Sequence, residues 1–187
     1  SGTSLVNEGG RIVIKAYGGN NAGVEVAGNV RNFDNGGVVI DNTGVNGVKI
    51  ASAGNVFSNG AVSVTNTGKG GVNVQGKVTG HEVNFDNQNS DMKVGSSSVN
   101  DNITAYGDIN INLENGSLLN NGANTTQLVT NNGGNLTLND QGGSIGDGKV
   151  GNVCNGGDGV VIGTNARDLT TSVNTRVHGK INAQSVA

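Results

Sequence analysis

Short runs rich in valine and isoleucine recur along the chain, separated by polar residues and glycine. Three consecutive segments each hold three such runs, at positions 12–14, 23–26 and 28–30, then 38–40, 47–50 and 54–56, then 62–64, 71–74 and 76–78. The glycines that open the middle runs, Gly23, Gly47 and Gly71, are equally spaced along the chain. Apolar residues at i and i+2 lie on the same face of a strand, so each run predicts a very short strand with one buried face.

The repeat continues in a looser form through the rest of the chain. A fourth copy occupies 83–85, 92–94 and 103–106, and further alternating runs follow at 109–113, 128–129, 135–138, 160–162 and 171–173. The last third keeps the alternation but loses the regular period. We therefore predict a single β-helical segment over residues 1–187, with regular coils over 1–106 and less regular coils over 107–187.

The residues between the runs are those of tight corners. Glycine or an Asn-Gly pair interrupts nearly every gap, as at 35–36, 46–47 and 59–60, and these residues tolerate a positive φ. Asn-Gly is also typical of antiparallel hairpins. Such very short strands cannot hold a hairpin ladder, however, and the period contains three strands rather than two. The pattern predicts an all-β fold, a right-handed parallel β-helix (solenoid) with three short strands per coil and a period of about 20–24 residues.

Stacking of equivalent residues is a direct consequence of that fold, because each coil lies above the one before. Phe33 and Phe57 are separated by the same step as the repeated glycines, and we expect them to form an internal aromatic stack that Phe85 continues. Asparagines at the corners are expected to form amide ladders along the rod.

The composition agrees with a stack of small residues rather than with an ordinary globular core. The 187 residues include 34 glycines and no proline, aromatic residues make up 3%, and charged residues make up 13%. Proline would interrupt the ladders of a sheet because it has no N–H group. Disorder is disfavoured because β-branched residues are frequent and the net charge is only -3.

Several stretches resemble a known family. The sequences GNVRNFDNGGVVI at 28–40, GAVSVTNTGKGGVNVQGKV at 60–78 and GGNLTLNDQGGSIGDG at 133–148 are similar to filamentous haemagglutinin-like exoproteins of two-partner secretion. The tail over 157–185 most resembles the leukotoxin-type filamentous adhesins of that group. The resemblance implies a β-helical shaft, export to the bacterial cell surface, and a role in cell adhesion and virulence. The secretion domain of this family carries an Asn-Pro motif, and this chain has no proline, so we expect shaft rather than secretion domain.

An enzyme acting on polysaccharides is the main alternative, because parallel β-helices also form lyases and hydrolases. Such chemistry needs carboxylates that converge on one face, whereas the acidic residues here are scattered and form no Asp-x-Asp pair. The exception is Asp34 with Asp86. Both stand in the tetrapeptide Asn-Phe-Asp-Asn, so we expect them to share an edge. We predict no enzymatic activity and no catalytic residue.

The remaining candidate residues have simpler interpretations. His81 and His178 lack neighbours at metal-ligand spacing and are expected on the surface, and Cys154 is expected to be a small buried hydrophobe. The stretch 156–159 lacks the second aspartate of a calcium-binding repeat. Sequons for N-glycosylation begin at Asn102, Asn115, Asn124 and Asn135. We predict no metal and no cofactor.

These observations predict a structural or adhesive shaft segment, secreted and displayed on the bacterial cell surface. Expected partners are host glycans or matrix proteins, with end-to-end self-association through uncapped coils. A passive spacer without its own ligand is a further alternative. Nucleic acid is not expected as a partner because no basic cluster exists, and no apolar run is long enough to insert into a membrane.

Overall fold

The computed structural model describes residues 3–121, 127–131, 134, 136–141, 144–150, 153–155, 160–162 and 168–171. These residues contain strands and no helix. The strands are β1 (Ser4–Asn7), β2 (Ile12–Ala16), β3 (Val24–Val26), β4 (Asn29–Asn32), β5 (Val38–Asn42), β6 (Val48–Ile50), β7 (Asn55–Ser58), β8 (Val62–Asn66), β9 (Val72–Val74), β10 (Lys77–Gly80), β11 (Val83–Gln88), β12 (Met92–Val94), β13 (Ile103–Ala105), β14 (Ile109–Glu114), β15 (Leu118–Asn120), β16 (Leu128–Thr130), β17 (Leu136–Gln141), β18 (Ser144–Val150), β19 (Val153–Asn155), β20 (Val160–Ile162) and β21 (Asp168–Thr171).

Every third strand belongs to the same sheet. The first sheet runs β1-β4-β7-β10-β13-β16-β19, the second runs β2-β5-β8-β11-β14-β17-β20, and the third runs β3-β6-β9-β12-β15-β18-β21. Adjacent strands within each sheet pair in parallel, as β2 does with β5 and β5 does with β8. The predicted parallel β-helix with three short strands per coil is therefore confirmed.

The register follows the sequence repeat through the first coils and then departs from its period. Val24 pairs with Val48 and Val48 with Val72, which preserves the spacing of the repeated glycines. Met92 then pairs with Val72 and with Leu118, so the coil first shortens and afterwards lengthens beyond the predicted range. The lengthening has a local cause, because the segment 95–102 extends the corner between β12 and β13 and forms its own antiparallel bridge.

The core is a column of aliphatic side chains enclosed by the three sheets. Inward positions alternate with outward ones along each strand, as in β5, where Val38 and Ile40 are fully buried and Val39 is partly exposed. Valine and isoleucine occupy most inward positions of the first four coils, and isoleucine and leucine become frequent afterwards. Each fully buried side chain of this size contributes roughly 1.5–3 kcal/mol. The repeated i, i+2 pattern thus buries apolar area in many thin layers, without the large aromatic side chains of a globular core.

Glycine is required at the corner that leads into the third sheet. Gly47 and Gly71 have φ values of 71° and 72°, which disfavour any residue with a Cβ. Successive coils also touch there, since a Cβ at Gly47 would overlap the carbonyl oxygen of Gly71. The Asn46-Gly47 pair therefore acts as a corner between strands of two different sheets, β5 and β6, rather than as a hairpin turn.

A buried amide ladder runs along the end of the second sheet. The Nδ2 atom of Asn42 donates to Oδ1 of Asn66 at 2.7 Å, and Nδ2 of Asn66 donates to Oδ1 of Asn87 at 2.7 Å. All three side chains are fully buried. Each Nδ2 also donates to a corner carbonyl, that of Gly44, Gly68 or Ser90. The expectation of amide ladders is confirmed at these positions.

The expectation of an internal phenylalanine stack is wrong in two respects. Phe33 and Phe57 are in contact, with ring centroids 5.7 Å apart and planes tilted by 48°. However, the pair lies outside the coil, and Phe33 is 47% exposed. Phe85 belongs to the core of the second sheet, between Val64 and Ile111. Phe57 pairs with Arg31 and not with Phe33, so the two rings touch from neighbouring rows on the outside of the coil instead of stacking at equivalent positions.

Candidate binding surface

The outward side chains of the second sheet form two parallel rows along the rod. One row contains Val13, Val39, Ser63, Asn84, Asn110 and Thr137, and the other contains Lys15, Asp41, Thr65, Asp86, Asn112 and Asn139. Amides in neighbouring coils are joined, because Asn110 Nδ2 donates to Asn84 Oδ1 at 2.9 Å and Asn139 Nδ2 donates to Asn112 Oδ1 at 2.8 Å. Beyond the two valines that begin one row, this face is a continuous surface of amides, hydroxyls and isolated charges.

The third sheet presents a more charged row. Glu25 pairs with Lys49, and Lys49 Nζ lies 2.8 Å from Glu25 Oε1. Both side chains are about half exposed, so this ion pair contributes less than about 1 kcal/mol. Asn73 and Lys93 continue the row. The row therefore carries charges of both signs rather than forming a single patch of one sign.

Three side chains meet at the corner after the second sheet, near the first coil. The Nζ atom of Lys15 lies 5.5 Å from the centre of the Tyr17 ring, and Tyr17 Oη donates to Asp41 Oδ2 at 3.5 Å. The hydrogen bond with Tyr17 raises the pKa of Lys15 above its ordinary value, with a smaller contribution from the charge of Asp41. Lys15 is fully solvated, so the cluster is a local surface contact.

Aromatic side chains gather on the corner between the first and second sheets. Phe57 points outward from β7, and Phe33 follows β4 in the preceding coil. Tyr106 follows β13 on the same corner and is 48% exposed. We call the surface formed by Phe33, Phe57 and Tyr106 the aromatic corner. The sequence analysis did not predict this surface. The available indication was that Phe33 and Tyr106 directly follow a short strand and do not lie within one.

The predicted convergence of Asp34 and Asp86 is wrong. Asp34 lies in the corner after β4, where its Oδ2 accepts a hydrogen bond of 2.6 Å from the backbone N–H of Gly10. Asp86 lies within β11, on the outer face of the second sheet, beside Thr65. The two copies of Asn-Phe-Asp-Asn are not equivalent, because Phe85 faces the core whereas Phe33 faces solvent. These two carboxylates therefore do not lie together on one face.

The other predicted positions fall at separate places. His81 is exposed at the corner between β10 and β11, as expected. His178 and the stretch 156–159 lie outside the described residues. The backbone of Cys154 in β19 pairs with Val129, and the expectation that its side chain is buried stays a prediction. Within the described parts of the chain, no group of three or more histidine, cysteine or acidic side chains is placed to hold a metal ion.

The sequons differ sharply in their accessibility. Asn102 is fully buried, and its Nδ2 donates to the carbonyls of Gln75 and Gly76 at 3.0 Å. Asn115 is exposed in the corner between β14 and β15, with a φ of 57°. Asn124 and Asn135 lie outside the described residues. Of the two described sequons, only Asn115 presents its amide to an enzyme.

The described residues form no helix long and apolar enough to cross a membrane. No family model, curated protein or solved structure matches this chain. The resemblance to filamentous haemagglutinin-like exoproteins therefore stays an expectation from the sequence.

Proposed function

We propose that the chain is a shaft segment of a secreted bacterial surface adhesin, which attaches to host cells, matrix or biofilm. The observation that carries the proposal is the rod itself, with its outward side chains aligned in rows. Seven parallel strands in each sheet, spaced by about 4.8 Å, give a shaft on the order of 30 Å long. A shaft of this kind both extends a protein away from a cell and repeats the same side chains along its length.

The polar rows support adhesion through many weak contacts. The amides of Asn84, Asn110, Asn112 and Asn139 lie on one face in three consecutive coils. Amides and hydroxyls donate and accept hydrogen bonds without the large desolvation cost of charged groups. Regular spacing allows several of them to contact one extended ligand, so that individually weak contacts add up to attachment. The resemblance to two-partner-secretion adhesins points to the same role.

A retention assay on coated beads tests this proposal. Beads carrying the folded chain are incubated with epithelial cells, fibronectin and a panel of soluble polysaccharides, and both retention and new reducing or unsaturated sugar ends are measured. We expect retention that is lost when the chain is unfolded in urea before coating. Retention on none of the surfaces would refute the adhesive role and favour the passive spacer. Release of new sugar ends would instead establish the enzyme alternative.

A further inference from the structure

The placement of the aromatic residues is the reverse of what burial alone favours. The chain has five aromatic residues, three phenylalanines and two tyrosines. Phe85 alone is buried in the core, whereas Tyr17, Phe33 and Tyr106 are 61%, 47% and 48% exposed. Large aromatic side chains left at the surface are typical of contact sites, because they offer a broad apolar face without much loss of side-chain entropy. Three of the four surface rings lie on the aromatic corner.

The aromatic corner consists of two adjacent rows that follow the rod axis. The inner row is the outward face of the first sheet, where Arg31 is followed in successive coils by Phe57, Thr79 and Thr104. The outer row lies one residue beyond the strand ends and contains Phe33, Asn59, His81 and Tyr106. Tyr106 stands three coils above Phe33, a distance of about 14 Å at ~4.8 Å per coil. The rows therefore form a strip with an aromatic group at each end.

Between the rings the strip carries hydrogen-bonding groups, namely an amide, hydroxyls and an imidazole. Asn59 Nδ2 donates to the carbonyl oxygen of Phe33 at 2.7 Å, which fixes the amide beside the ring pair. The imidazole of His81 lies against Gly107, next to Tyr106. From Phe57 to Tyr106 neither row contains Asp, Glu, Lys or Arg. The strip thus carries an aromatic ring at each end, with the exposed Arg31 beside Phe57 at the first end. Between Phe57 and Tyr106 it holds no carboxylate, ammonium or guanidinium group.

We propose that the aromatic corner binds an uncharged, extended oligosaccharide that lies parallel to the rod axis. The inference rests on the proposed adhesive function and names its ligand class. A pyranose ring has an apolar C–H face that stacks on an aromatic ring, and its hydroxyls bond to amide, hydroxyl and imidazole groups. Extended β-linked glycans repeat at nearly the coil spacing, so the strip accommodates roughly four sugar units from Phe33 through Tyr106. An anionic glycan gains no ion pair from the two rows between Phe57 and Tyr106.

Tyrosine fluorescence provides a direct test. The variant Y17F leaves Tyr106 as the single tyrosine of the chain. A change in its emission when an oligosaccharide is added therefore reports binding at the aromatic corner. Cellohexaose and chitohexaose serve as neutral probes and a heparin hexasaccharide as the anionic probe. We expect saturable changes with at least one neutral probe. In the same background, F33A weakens that binding by about tenfold, the size typical of losing one aromatic anchor.

Isothermal titration calorimetry, which does not depend on tyrosine emission, measures binding by the control variants. The variant Y17A removes a ring that is even more exposed than Tyr106 but lies on another corner, and it should bind as the unmodified chain does. Y106A should bind about tenfold more weakly. Far-ultraviolet circular dichroism verifies that each variant is folded. Binding of heparin alone, binding by Y106A equal to that by the unmodified chain, or an equal loss in Y17A would overturn the proposal.

The remaining outcomes separate this proposal from the adhesive function on which it rests. Concentration-dependent dimerisation that F33A abolishes would show that the corner pairs with a second copy, and would overturn the glycan site. Retention of cells by the beads without binding of either neutral probe would refute the aromatic corner as the site and leave adhesion standing. Failure of retention on every surface refutes the adhesive function itself.

Discussion

The buried amide ladder makes a sharp prediction, because replacing Asn66 by alanine removes its central rung. Asn66 accepts from Asn42 and donates to both Asn87 and Gly68. It is fully buried, so water cannot replace the lost bonds without opening the coil. The N66A variant should therefore lose far more stability than an asparagine-to-alanine change on the surface.

The magnitude follows from the number of bonds and from what their partners retain. Three hydrogen bonds are lost, at about 1 kcal/mol each in net terms. The partners keep other contacts, since Asn42 Nδ2 still donates to Gly44, and Ser90 Oγ lies 3.4 Å from both Gly68 O and Asn87 Oδ1. This reduces the penalty for unsatisfied buried groups, which is otherwise about 1–3 kcal/mol per group. We expect the free energy of unfolding to fall by about 3 kcal/mol.

Urea denaturation followed by far-ultraviolet circular dichroism measures this loss as a lower midpoint at unchanged slope. The matched control is N112A, because Asn112 forms an amide pair with Asn139 between adjacent coils of the same sheet but is exposed. That control should cost no more than about 0.5 kcal/mol. A loss below about 1 kcal/mol for N66A, or equal losses in the two variants, would show that the ladder does not stabilise the stack.

Two further predictions concern a corner and a modification. The variant G47A should lose about 1–3 kcal/mol of unfolding free energy in the same assay, because it combines a positive φ with a backbone overlap against Gly71. The control G9A should be almost neutral, because no atom lies within 4 Å of the added Cβ. Equal losses in the two variants would contradict this account of the corner. Treatment of the folded chain with an N-glycosyltransferase, followed by peptide mass spectrometry, should show glycan at Asn115 and none at Asn102. Asn102 should become a substrate only after the chain is unfolded. Modification of Asn102 in the folded chain would contradict its burial.

The β-helix was predictable because its determinants are local and repeated. A strand with apolar residues at i and i+2 buries one face wherever it lies, and a nearly regular step places each copy above the last. The alignments of Val24 with Val48 and Val72, and of Ile12 with Val38 and Val62, therefore follow directly from the sequence. The absence of proline and the glycines at corners agree with the same conclusion, since each acts on the backbone of its own residue.

The candidate surfaces were decided by the tertiary structure. Identical tetrapeptides around Phe33 and Phe85 gave opposite orientations, because a shift within the coil moves a side chain from the core to solvent. Phe85 stands at i+2 from the inward Val83 within β11, whereas Phe33 follows the end of β4. The burial of Asn102 and the separation of Asp34 from Asp86 have the same origin. The sequence by itself thus determined the repeat and its stacking. Whether each non-repeating residue faces the core or the solvent was decided by contacts with the coils above and below.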